Sequence, residues 1–323
     1  MQLSGKQQLA LGLTAATVAG GAAVSHGLTH YLVNVAVDRK FPNSANRLTR
    51  AVIRGSRCDR VFLQALDAGA QVLRNLPHKT ISIRGKDGAP LVGHLFAAAK
   101  PKRLVLAMHG WRSSWDHDFG MIAPFLLAND CTVLFAEQRG QGGSGGKHMG
   151  LGALERYDCV RWAHRLADMG PHLPLYLAGI SMGATTVLMA TGFPLPSNVH
   201  GVIADCGYTS PGAIFHHVAK HNLHLPYGKL RKAMVGRLCR KRLREDPEGY
   251  SCQQALRHCR VPVLFIHGTE DTFVPISMTY ENYQACTGPK ELFVVPGAGH
   301  GTSYLVDGPG YEKRLLEFFC QYD

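Results

Sequence analysis

From Thr80 onward the chain alternates short apolar runs with longer helix-type stretches, and this alternation restricts the possible fold more than any other feature. Leu104–Met108, Thr132–Ala136, Leu175–Ile180, Val202–Ala204, Val263–Ile266 and Leu292–Val295 are apolar at consecutive positions rather than alternate ones. A strand of that kind is covered on both faces, as parallel strands beneath helices are; an antiparallel sheet with one wet face would alternate. Leu154–Met169, Met182–Thr191, Ser277–Cys286 and Tyr311–Gln321 supply the covering helices. Thr80–Arg84 and Leu91–Ala97 flank the turn Gly85-Lys86-Asp87-Gly88, which predicts an antiparallel hairpin at the sheet edge. After the sixth strand, residues 208–260 break the alternation with helix-prone, basic sequence, read as an inserted cap. The expected architecture is α/β: a mainly parallel sheet flanked by helices, over 79–323, with a small helical cap.

Leu175–Ile180 runs into Gly179-Ile180-Ser181-Met182-Gly183 and then into a small-residue helical stretch. G-x-S-x-G alone is common. Between an apolar strand and a helix it marks a strained turn that lifts a serine above the sheet, with glycines where side chains would collide with neighbouring elements. A serine hydroxyl is a weak nucleophile at neutral pH, so it needs a general base, and the base needs a carboxylate to hold its tautomer. Seventeen histidines leave the base ambiguous by number, and position selects His300, in a Gly-rich loop after the last apolar run. His216, His217, His221 and His224 lie on helical cap sequence and are read as surface or substrate-lining groups. Asp271 sits in the loop closing the penultimate strand and is the preferred acid; adjacent Glu270 should point elsewhere in a tight turn. Asp205, at the end of Val202–Ala204, stays open as the alternative acid, its other role being to bond loop amides. Acyl transfer also needs donors for a developing oxyanion. The backbone N–H groups of Met182 and of Trp111, the latter in the turn after Leu104–Met108, are the candidates. The Trp111 side chain is then free to line an acyl pocket or to pack in the core.

These elements in this order resemble the α/β-hydrolase superfamily of serine hydrolases over about residues 80–320. Glu137-Gln138-Arg139-Gly140-Gln141-Gly142-Gly143-Ser144-Gly145 is similar to that superfamily's R-G-x-G-x-S loop. With Gly152–Asp158 and Asp205–Ser210 it is similar to bacterial hydrolases of the serine-aminopeptidase-like group, several of which carry an amino-terminal hydrophobic anchor. The resemblance implies an α/β-hydrolase fold and ester or amide hydrolysis through an acyl-enzyme. A serine at the elbow argues against haloalkane dehalogenases and epoxide hydrolases, which use aspartate there. No metal, flavin or nucleotide motif is visible, and the Gly-rich 140–146 loop lacks G-x-x-x-x-G-K-[ST], so no cofactor or metal is expected. Carboxylic ester hydrolysis ranks first. A peptidase or amidase ranks second, because a peptide amine calls for an acidic site and this cap is basic. A non-catalytic ligand- or membrane-binding protein is third.

Thirty-five Lys+Arg against 23 Asp+Glu leave a formal net charge of +12, which admits nucleic acid, anionic lipid or an acidic substrate as partner. Within 211–260 eleven Lys/Arg stand against three acidic residues, so most of the excess falls on the cap. The expected partner is therefore a small ester or acyl substrate, anionic if the cap steers it, and not nucleic acid. Between Lys6 and Asp38 there is no Asp, Glu, Lys or Arg, and Leu9–Val24 is a weakly apolar run diluted by Gly12, Gly20 and Gly21. Three readings compete for 1–37: an uncleaved membrane anchor near the ~20 residues of a spanning helix, a cleaved signal peptide with a cut near Gly21-Ala22-Ala23, or a helix packed on the domain. The anchor is preferred. Residues 38–78 then form a basic connecting helical region, with Arg39, Lys40, Arg47, Arg50, Arg54, Arg57 and Arg60 suited to anionic headgroups. The positive-inside rule puts the hydrolase domain in the cytoplasm. Nine scattered cysteines without a CxxC pair agree, being read as buried reduced thiols. Secreted and cytoplasmic locations are the alternatives.

Overall fold

A computed structural model of the chain describes residues 23–40 and 60–323. Eight strands form one sheet: β1 (Lys79–Arg84), β2 (Pro90–Phe96), β3 (Arg103–Met108), β4 (Cys131–Ala136), β5 (Leu175–Ile180), β6 (Val199–Asp205), β7 (Val263–Gly268) and β8 (Lys290–Val295). Their order is β1-β2-β4-β3-β5-β6-β7-β8. The β1–β2 and β2–β4 pairs are antiparallel, and β3 to β8 are all parallel, so the hairpin stands at the edge as expected.

The helices are α1 (23–37), α2 (Arg60–Asn75), α3 (Trp115–Phe119), α4 (Ala123–Ala128), α5 (Glu155–Ala167) and α6 (Met182–Ala190). Then come α7 (Pro211–His217), α8 (Lys229–Leu243), α9 (Cys252–Leu256), α10 (Ile276–Ala285), α11 (Ser303–Val306) and α12 (Gly308–Tyr322). The consecutive apolar positions divide by parity, as the two-residue period of a strand requires. Leu104, Leu106, Met108, Leu175, Leu177, Val263 and Phe265 face a core shared with Trp162 and Leu166 of α5. Val105, Ala107, Tyr176, Ala178, Leu264 and Ile266 face the opposite layer, with Leu126 of α4 and Phe318 of α12. The inner strands β3, β5 and β7 are thus covered on both sides, whereas the edge strand β1 is largely exposed.

Between β6 and β7 the chain leaves the sheet for the cap, through α7, a π-helical turn at Val218–Asn222, α8 and α9. Val235, Cys239 and Leu243, spaced four apart, make a stripe on α8 that packs on Val33 and Val37, a matching stripe on α1. On the rest of α8, Lys229, Lys232, Arg237, Arg240 and Lys241 are exposed, as is Arg244 just after it, so most of this charge faces solvent.

Residues 23–37, grouped above with the anchor, are instead a helix held against the cap, because the Val33–Val37 stripe has a partner there. Among the described residues no helix is long and apolar enough to cross a membrane. Leu9–Ala22 and most of the basic connector, Arg47 to Arg57, lie outside the described residues. Of the described cysteines, seven are buried free thiols and Cys320 is an exposed one; Cys58 lies outside the described residues.

Candidate active site

Ser181 stands between β5 and α6 with φ 57° and ψ −116°, a conformation side chains rarely adopt. Its N–H donates to the Asp205 carbonyl at 2.8 Å. A Cβ on Gly183 would overlap the Met108 carbonyl oxygen, and one on Gly179 would overlap the Gly183 carbonyl, so the turn closes only with glycine at both positions. The Ser181 side chain is buried, at the head of α6.

His300 follows β8 in a loop and reaches Ser181 Oγ through Nε2 at 2.8 Å. Its Nδ1 bonds Asp271 Oδ2 at 2.7 Å. The second Asp271 oxygen, Oδ1, accepts the N–H groups of Phe273 at 3.0 Å and Val274 at 2.8 Å. His267 Nε2 lies 3.2 Å from Oδ2 and fixes that side of the carboxylate. Burial alone would raise the Asp271 pKa, but His300 and His267 hold it well below the usual carboxylate range. Burial works against a charged His300, yet the Asp271 carboxylate outweighs it and lifts the imidazole above its ordinary value. Asp271 therefore stays ionised and orients an imidazole whose Nε2 faces the serine.

Asp205, the alternative acid, does not take this place. Its Oδ1 accepts from Ser303 Oγ at 3.0 Å, while its main chain braces Ser181. Full burial pushes its carboxyl up to about 6 despite His267, Ser303 and His300.

The loop carrying Trp111 is held from several directions. Asp118 Oδ2 accepts the Gly110 N–H at 2.6 Å, and Ser113 Oγ donates to its other oxygen. Burial would raise the Asp118 pKa, but these bonds together with His117 and His109 keep it low. His109 is wholly buried, which drives its pKa down; its Nδ1 donates to the Gly110 carbonyl and its Nε2 accepts from Gln138 N at 3.0 Å. The Met182 N–H is at the first turn of α6, where no intrahelical acceptor exists. Above the loop, the Trp111 indole N–H donates to the Ala36 carbonyl at 2.8 Å, and Arg112 donates to the carbonyls of Val35 at 2.6 Å and Asp38 at 2.7 Å. Sequence reasoning missed Asp118, and it weighed a helix packed on the domain for 1–37 without placing that helix at the site. Asp118 meets Gly110 eight residues away across a turn with Arg112 at φ 52°, a spacing with no helical or strand period.

Ser181 lies on the wall of an apolar cavity of about 110 Å³, lined also by Trp111, Phe273 and residues of α1 and the cap. The only charged side chain among the described lining residues is Arg231, so the cap's other cations do not enter it.

A model of the alpha/beta hydrolase family matches residues 104–310. The chain belongs to the alpha/beta hydrolase family. Its mainly parallel eight-stranded sheet with the cap after β6 is that family's fold, as the sequence resemblance implied. An uncharacterized protein of Bacillus subtilis (strain 168), YqkD, is 30% identical to this family member over 187 residues, 58% of this chain and 61% of that protein. An uncharacterized protein of Mycobacterium tuberculosis (strain H37Rv) is 27% identical over 192 residues, 59% of this chain and 60% of the other. The chain thus spans about 60% of the length of these curated relatives. The solved esterase Pf2001 of Pyrococcus furiosus superposes with a TM-score of 0.63 at 22% identity, covering 76% of this chain and 91% of that one. The esterase RhEst1 of Rhodococcus sp. does so with a TM-score of 0.55 at 20% identity, covering 76% and 99%. At these identities the two esterases share the fold with this chain.

Proposed function

We propose that this alpha/beta hydrolase cleaves a carboxylic ester through an acyl-enzyme on Ser181. The observation that carries the reading is the unbroken relay from Asp271 Oδ2 through His300 to Ser181 Oγ, in steps of 2.7 and 2.8 Å, at an apolar cavity. In the proposed reaction Ser181 Oγ attacks the ester carbonyl carbon while its proton passes to His300 Nε2. The carbonyl π pair moves onto oxygen, where the Trp111 and Met182 N–H groups donate to it. Collapse restores the carbonyl and expels the alcohol, which takes the proton from Nε2. Water then attacks the acyl-serine, giving a proton to Nε2, and the acid leaves as that proton returns to Oγ. Asp271 keeps the proton on Nδ1 and stabilises the imidazolium throughout.

Among the described residues lining the cavity none is a carboxylate, which favours an ester over a substrate held by its free amine. A panel of p-nitrophenyl esters beside aminoacyl-p-nitroanilides tests this: the esters should be hydrolysed and the anilides left at the buffer rate. Faster anilide turnover would make the protein a peptidase, and inertness toward both would leave the non-catalytic ligand-binding reading.

The site is also proposed to work at a membrane surface. Supporting this are the charge-free Leu9–Val24 run and two exposed apolar side chains, Val24 at 73% and Leu230 at 77%. The Arg231 Nη2 bond to Ser25 Oγ, at 3.0 Å, joins their neighbours, and exposed Lys229 and Lys232 flank Leu230 on its helix. The full chain should co-sediment with phosphatidylglycerol vesicles, and the double substitution Leu13→Lys with Val18→Lys should release it; equal sedimentation of the two proteins would contradict the proposal.

A further inference from the structure

The cavity at Ser181 has an unusual third wall. One side is the catalytic domain, with Trp111 and Phe273, and another is the cap, with Phe215, Val218 and Val235; α1 closes the rest with Leu32, Val33 and Ala36. We infer that this cavity holds an apolar acyl chain of about four to six carbons, and that α1 is the element that sets its length. The inference rests on the reading of Ser181 as the nucleophile, because the serine on the wall makes the cavity an acyl pocket rather than a void.

The chemistry of the lining decides the ligand class. Two of the polar lining groups are already engaged: Thr29 Oγ1 donates to the Ser25 carbonyl at 2.8 Å, and Arg231 donates to the Pro226 carbonyl at 2.6 Å and to Ser25 Oγ at 3.0 Å. The buried Tyr208 hydroxyl has no hydrogen-bond partner among the described residues. The surface facing the cavity is almost wholly aliphatic and aromatic, which rewards burial of methylenes over burial of a charged acyl group. An apolar cavity of about 150 Å³ accepts benzene, six carbons; one of about 110 Å³ accordingly encloses a short-to-medium chain.

Length selection also requires a wall that holds still. The carboxyl end of α1 is tied to the oxyanion loop by the Trp111 and Arg112 bonds to the carbonyls of Val35, Ala36 and Asp38. Asp38 Oδ1 lies 2.9 Å from His148 Nδ1 and 3.4 Å from Arg242 Nε of α8, and Met149 N–H donates to the Val37 carbonyl at 2.7 Å. Helix α1, the cap and the loop that would present an oxyanion donor thus form one hydrogen-bonded body. The acyl chain and the carbonyl it carries are positioned by the same body.

The test is a series of p-nitrophenyl esters from acetate to decanoate on the full chain. The value of kcat/KM should rise by up to about fourfold per methylene, the factor expected for a buried CH₂, through butanoate or hexanoate, and then stop rising. Ala36→Phe places a ring in the cavity and should lower the hexanoate-to-acetate ratio at least tenfold. Leu32→Ala, which does not depend on fitting a larger side chain, should move the optimum to longer esters. His26→Phe, on the exposed side of α1, should leave the ratio as it is. A ratio that is the same in the parent, Ala36→Phe and Leu32→Ala, with esters still turned over, would overturn the pocket and leave Ser181 standing. Calorimetric binding of hexanol to the Ser181→Ala protein separates the two readings. Hexanol binding weakened by Ala36→Phe, in a chain that hydrolyses no ester, would keep the pocket and remove the nucleophile.

Discussion

Ser181→Ala lowers ester kcat by about 10⁶-fold, the loss typical when the nucleophile of a serine relay is removed, and ends covalent labelling by a fluorophosphonate. The magnitude follows from the geometry. Among the described residues, the hydroxyl at bonding distance from His300 Nε2 is Ser181 Oγ, at 2.8 Å, so it is the one placed for deprotonation. A rival nucleophile close by is Cys206, whose sulfur lies within 4.8 Å of the ligand atoms of Asp271 and His300. Burial, with Asp205 and Asp271 nearby, pushes the Cys206 thiol far up, so it stays protonated and does not take over. The substitution leaves the backbone turn intact, because Gly179, Gly183 and the Ser181 N–H bond to Asp205 maintain it. Its melting temperature should therefore stay near the parent's. Activity retained at more than a few per cent would refute the assignment.

Asp271→Asn should cost about 10⁴-fold in kcat, since an amide can no longer hold the productive imidazole tautomer or stabilise the imidazolium. Its pH profile carries the second half of the prediction. His300 must be neutral to accept the serine proton, and Asp271 raises its pKa above 6.5, so parent kcat/KM falls as the pH drops through that raised value. Without the carboxylate the acid limb moves to lower pH while the plateau falls. Asp205→Asn supplies the contrast. It leaves the His300–Asp271 bond untouched and retains most of the activity. The folded pKa of Asp205, about 6, lies above the ordinary carboxylate value. Its contribution to stability is thus full at low pH and is lost as the pH rises through the unfolded value toward 6. The uncharged amide escapes that loss, so thermal denaturation at pH 8 should show the variant melting above the parent. If the two variants exchanged these phenotypes, Asp205 would be the acid.

The parallel strands were legible because burial on both faces writes itself as consecutive apolar residues: Leu104 to Met108 can be read without knowing which residue meets which layer. The elbow was legible for a local reason, the two glycines that a tight strand-to-helix turn demands. The cap was visible as an interruption, yet the direction of its charge was not, because lysines and arginines recur around α8 and only packing against Val33 and Val37 decides which face is covered. The same packing hid the role of α1. Residues 23–37 share the charge-free composition of the run before them, and the partners that make them a pocket wall lie some two hundred positions later in the chain. Asp118 escaped for the opposite reason: it is close in sequence to the loop it holds, but the turn between them has no period to detect.

The most direct measurement is the site and stoichiometry of fluorophosphonate labelling on the full chain, read by intact mass and peptide mapping and followed against ester turnover. One adduct per chain on the peptide containing Ser181, with activity disappearing in proportion to its formation, is the predicted result. An adduct on any other residue, or ester hydrolysis that continues after Ser181 is fully modified, would contradict the account.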